Sequence, residues 1–79
     1  MKGKPLFIRA EWDEEAKVWF ATSDDVPGLA TEAATTEALT EKLKVMIPEL
    51  LLANNVSFPD EVPFEILTRR FELTQRAGH

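Results

Sequence analysis

Cysteine is absent from this 79-residue chain, so no disulfide can brace the fold and no thiol can serve as nucleophile or metal ligand. Histidine occurs once, as the terminal His79, which argues against a structural zinc site and against histidine-based acid–base chemistry. With only three glycines there is no glycine-rich phosphate loop. Ser23 and Ser57 lack the Gly-x-Ser-x-Gly setting of a nucleophile elbow. No apolar run approaches the roughly 18 residues of a membrane span, and the basic start Met1–Pro5 is not followed by the apolar stretch of a signal peptide. The acids Glu11, Asp13 and Asp24 or Asp25 lie near strand ends, as metal-binding carboxylates do in two-metal nucleases. They also sit in turns, where Asp and Glu serve solvation and turn geometry. The expectation is therefore a protein that is not an enzyme and has no catalytic residues, no cofactor and no metal. The lack of cysteine fits a reducing cytoplasm.

What is present is an ordinary globular composition, 44% hydrophobic and 29% charged. Its length suits one domain over residues 1–79, with an ordered core over 5–73 and a frayed tail over 74–79. A core this small supplies roughly 3–5 kcal/mol and usually needs a brace. With disulfide and zinc set aside, self-association into a homodimer is the brace that remains. The net charge of −5 is uneven: Lys2, Lys4 and Arg9 precede any acid, and acids dominate from Glu11 to Glu49. Such a surface is poorly matched to DNA and better matched to a basic protein. The alternative is a small RNA-binding module, in which Arg9, Arg69 and Arg70 form a basic patch and Trp19 a stacking surface.

The chain is organised around Thr35–Asn54. Leu39, Leu43, Met46, Ile47, Leu50 and Leu51 recur three or four apart, which puts them on one side of an α-helix, and charged residues fill the other side. Thr35 is the candidate N-cap, Glu37 favours the positive end of the helix, and Asn54-Asn55 closes the far end. Pro48 removes one backbone bond, which predicts a kink, or else a break that starts a second helix; the continuing stripe favours the kink.

Leu6–Trp12 alternates as a strand, with Leu6, Ile8, Ala10 and Trp12 on one face. Lys17–Ser23 is a second strand, and the two form an antiparallel hairpin with a loop of four or five residues. A five-residue loop would pair Trp12 with Val18 and Ala10 with Phe20; a slip of one residue would send Phe20 to the other side. Pro27-Gly28 predicts a tight turn before a short strand, Leu29–Ala33. A last strand spans Phe64–Leu73, with a candidate bulge at Arg69-Arg70.

These elements predict an α+β fold of two layers, β-β-β-α-β, with one helix on a four-stranded mixed sheet of order 3-2-1-4. One helix covers one side of the sheet. The other side is expected to carry Phe7, Trp19, Leu67 and Phe71 as an interface.

The runs Phe7–Asp13, Val18–Ser23, Asp25-Val26-Pro27-Gly28-Leu29 and Thr31-Glu32-Ala33 resemble the small HicB-like antitoxin domains, and more closely a small prokaryotic domain family grouped with them. Pro48-Glu49-Leu50-Leu51 adds to the likeness, which covers roughly Leu6 to Asn54. The resemblance implies a partial ribonuclease-H-like module without catalytic residues, which self-associates and masks a small RNA-cleaving toxin. Ala33-Ala34 stand where the broader family often has Gly-Asp. A separate C-terminal DNA-binding segment, usual in toxin-binding relatives, is not expected after the last strand. A non-catalytic protein-interaction module, antitoxin-like and cytoplasmic, is the function expected.

Overall fold

A computed structural model describes residues 4–77, so Lys2 and His79 lie outside the described residues. Its elements are β1 (Leu6–Asp13), β2 (Val18–Thr22), β3 (Ala30–Ala33), α1 (Thr36–Ala53) and β4 (Phe64–Arg69). The four-stranded sheet has the order β3-β2-β1-β4, with β1 antiparallel to β2, β2 antiparallel to β3, and β4 parallel to β1. The predicted α+β fold and strand order are both found. No helix among the described residues is long and apolar enough to cross a membrane.

The apolar stripe of α1 lies on one side of the sheet. Leu39, Leu43, Ile47 and Leu51 meet Ile8, Ala10 and Ala21, and all seven are buried. Burying a leucine or isoleucine fully contributes roughly 1.5–3 kcal/mol, so this contact is the main source of stability. Leu6, Met46, Leu50, Phe64 and Ile66 pack around it half-buried. Phe58 and Val62, in the connection from α1 to β4, close its margin.

Both helix ends are chemically capped. The Ala38 amide donates to the Thr35 hydroxyl at 3.0 Å, as expected of an N-cap. At the far end Asn55 has φ +58, Val56 N–H donates to Leu51 O at 2.9 Å and Asn55 N–H to Leu52 O at 3.1 Å. That pair of bonds is a Schellman motif, which needs a left-handed residue that Asn tolerates. The helix runs unbroken through Pro48, so no second helix starts there.

Of the two hairpin loops left open by the sequence, the four-residue one forms. Asp13 pairs with Val18, Trp12 with Trp19 and Glu11 with Phe20, leaving a loop of Glu14–Lys17. The reason is local. Asp13 Oδ1 accepts from the amides of Glu15 and Ala16, Lys17 N–H donates to Asp13 O at 2.7 Å, and Lys17 takes φ +59. This one-residue slip sends Trp19 to the helix side and Phe20 to the open side. β3 begins at Ala30 rather than Leu29, whose side chain is buried. β4 ends at Arg69 instead of continuing to Leu73, and no bulge forms at Arg69-Arg70.

Between β2 and β3 the Val26-Pro27-Gly28-Leu29 turn closes with Leu29 N–H on Val26 O at 3.2 Å. Gly28 has φ +81, as the third position of a type II turn requires. A Cβ there would meet Leu50 Cδ2 at an ordinary 3.7 Å, so any strain on substitution comes from the backbone alone. Gly28→Ala should therefore lower stability by about 1–2 kcal/mol, read as a drop in the urea midpoint at unchanged slope.

Candidate interaction surface

Alternation along each strand sorts the side chains between the two sides of the sheet. The helix side takes Leu6, Ile8, Ala10 and Trp12 of β1 with Trp19 and Ala21 of β2. The open side takes Phe7, Arg9 and Glu11, with Phe20 and Thr22 beside them, Glu32 beyond, and Glu65, Leu67 and Arg69 across β4. Phe7 is 51% exposed, Phe20 43% and Leu67 58%. Phe71, just past β4, is 78% exposed.

Of the four residues expected to form an interface, the structure brings Phe7, Leu67 and Phe71 to the open side. Trp19 is corrected: it is half-buried against the core on the helix side. Phe20 takes the open-side place that Trp19 was expected to fill. Composition and periodicity did not separate the two, since both are aromatic neighbours in one strand; only the loop length does.

The open side is not uniformly apolar. Glu11 stands beside Phe20 and Arg69, and Arg9 beside Leu67 and Thr22. Phe7 and Leu67 wall a cleft of about 220 Å³ with Arg9, Ser23, Asp24 and Asp25. Arg9 Nη2 lies 3.9 Å from Asp24 Oδ2, a solvent-exposed pair that contributes little.

Asp25 has a different task. Its carboxylate accepts from the Phe7 amide at 2.8 Å, and the Ser23 hydroxyl donates to Phe7 O while accepting from the Asp25 amide. These contacts replace strand pairing where β2 has already ended, and they set Val26 and Leu29 into the core. Asn54 Nδ2 reaches Pro27 O at 3.4 Å and Leu50 O at 2.8 Å, which joins the turn to the end of α1. The Asp25–Leu29 motif is thus a clamp between β1 and α1.

The basic patch expected from Arg9, Arg69 and Arg70 is divided. Arg9 and Arg69 are on the open side, whereas Arg70 crosses to the helix side with its guanidinium carbon 4.6 Å from the Trp12 ring centre. Trp12 meets Trp19 edge to face at 5.3 Å. The two tryptophans therefore pack on each other, with Arg70 over Trp12, on the other side of the sheet from Arg9. The carboxylates considered for metal binding are also dispersed, with Asp13 on turn amides, Asp24 by Arg9 and Asp25 on Phe7. Among the described residues no three His, Asp or Glu side chains stand together as a metal site.

At the hairpin tip the Trp12 indole N–H donates to Glu14 Oε1 at 2.7 Å, and Lys17 Nζ bonds Glu14 Oε2. The hydrogen bond from Lys17, then that from Trp12, holds the Glu14 carboxyl below the usual carboxylate range. Because the folded-state value is depressed, the contact is intact above the unfolded value and lost as pH falls through the folded one. Trp12 emission should titrate with a midpoint below that of an ordinary glutamate. Lys17→Met should raise that midpoint, and Glu14→Gln should abolish the transition. In the clamp, Asp25→Ala should lower stability by about 1–2 kcal/mol in urea denaturation.

The fold recurs in a solved structure. The crystal structure of the hypothetical protein TTHA1013 from the extremely thermophilic bacterium Thermus thermophilus is 51% identical, with a TM-score of 0.70 over 92% of this chain and 100% of that chain. No curated protein matches. The family model described as a domain of unknown function (DUF1902) matches residues 5–75. That span takes in every strand, the helix and the Asp25–Leu29 clamp. The match is to a small domain family to which no function is assigned. By that match the chain belongs to the DUF1902 family.

Proposed function

We propose that this protein is a non-catalytic protein-interaction module that self-associates, and that its acidic surface holds a small basic protein in the way a HicB-like antitoxin holds an RNA-cleaving toxin. The observation that supports the reading is the open side of the sheet. Phe7, Phe20 and Leu67 stand there roughly half exposed, while the helix side already holds a closed core. Large apolar side chains grouped on one side of so small a domain are characteristic of a binding surface. Arg9, Glu11, Glu32, Glu65 and Arg69 surround them and supply the polar contacts that select a partner. The net charge of −5 favours a basic one.

The test is to find a reading frame for a small basic protein adjoining this one in the genome and to co-express the two; if no such frame adjoins it, the antitoxin-type reading falls. A stoichiometric complex and relief of growth arrest are expected. Phe7→Asp with Leu67→Asp should weaken that complex about ten- to a hundredfold while the circular dichroism stays unchanged. Absence of any complex at micromolar concentrations overturns the antitoxin-type reading.

A further inference from the structure

After Arg69 the chain continues as an extended arm over residues 70–77, none of them buried. The molecule measures 58 × 26 × 19 Å with a radius of gyration of 15.6 Å, where a compact chain of this length has about 12 Å. Its accessible surface is 6172 Å². That is about 1,400 Å² more than a compact monomer of this mass exposes. A stable protein–protein contact covers about 800 Å² on each partner, so the excess is on the scale of an interface.

The arm begins in phase with β4. Arg70 turns to the helix side and stacks on Trp12. Phe71, next in the alternation, is directed to the open side and lines a shallow cleft at the end of the sheet with Glu11, Arg69 and the edge of Trp12. Leu73 follows two residues on, and Phe71 and Leu73 are each 78% exposed. Beside the arm's root runs the outer edge of β4, which no other strand of the described sheet pairs with. Such an edge is a template for another strand.

The charges of the arm indicate which strand fits. Arg70 and Glu72 flank Phe71 with opposite signs and bond to each other within the chain. A segment of this order is complementary to its own copy when the copy runs antiparallel. With the two-fold axis at Phe71, Arg70 of each copy stands opposite Glu72 of the other, and Arg69 opposite Leu73. An axis at Arg69 or Arg70 would instead set two arginines face to face. The axis at Phe71 also lays residues 72–77 of one copy along residues 65–70 of the other, which is the open edge of β4.

Resting on the interaction-module reading, we infer that two copies join antiparallel about Phe71 through β4 and its arm, so that their sheets run into one and each arm closes the other's edge.

The chain has no cysteine, so Phe71→Cys introduces a single thiol at the axis, where two paired strands bring thiols within disulfide reach. Mild oxidation with copper phenanthroline should cross-link it rapidly, and should leave Leu52→Cys, on the exposed side of α1, as monomer on denaturing gels. By light scattering, Arg70→Glu and Glu72→Arg should each weaken the dimer roughly tenfold, and the double reversal should restore it. Helix content should be unchanged throughout. A dimer indifferent to both reversals, in which the cysteine at position 71 cross-links no faster than that at 52, overturns the arm pairing and leaves the interaction module with another interface. A wild-type chain that stays monomeric at millimolar concentration overturns self-association altogether, with binding of the basic protein still to be judged by co-expression.

Discussion

A helix of 18 residues is about 27 Å long, and it lays its apolar stripe along one side of a four-stranded sheet. Among the described residues there is one such helix, so one side of the sheet is closed and the other is left to solvent or to another molecule. The distribution of side chains follows that constraint. Every buried strand residue lies on the helix side, and the large apolar residues exposed on strands lie opposite. The strand order makes β4 an edge, and the chain runs on from it past Arg69.

The Asp25–Leu29 turn keeps the two layers in place. It joins the end of β2 to β1 through Asp25 and Ser23, and meets the end of α1 through Asn54. Val26 and Leu29 enter the core from the same short segment. A motif that carries the family resemblance in sequence is accounted for here by backbone geometry: an acceptor for an unpaired strand amide, two buried side chains, and a glycine at positive φ between them. Its presence in the family-matched span therefore speaks for the fold and not for an activity.

The tip of the hairpin has a comparable economy. Trp12 contacts Trp19, Glu14 and Arg70 at once, and so connects the β1–β2 turn to the start of the arm. Arg70 on the helix side and Phe71 on the open side give the arm its orientation as it leaves the sheet. The open side alternates apolar and charged neighbours, Phe20 by Glu11 and Leu67 by Arg9, a pattern suited to a selective contact more than to a greasy one.

Much of this was legible from residue order. The 3.6-residue stripe of α1, its Thr35 and Asn55 ends and the turn at Pro27-Gly28 follow from short-range rules, because spacing, caps and turn chemistry act within a few residues, and the strand order follows from the few ways a crossover helix can return the chain to the sheet. The open-side positions of Phe7 and Leu67 followed from the two-residue alternation of their strands. The places of Trp19 and Phe20 did not. A four-residue and a five-residue loop are both compatible with Asp13–Lys17, and side chains swap sides with each one-residue slip. Only the pairing of Asp13 with Val18, with Lys17 at positive φ, decides which aromatic is enclosed. The basic patch was lost for a similar reason: Arg69 and Arg70 are adjacent in sequence, and adjacent residues of an extended strand point to opposite sides of a sheet.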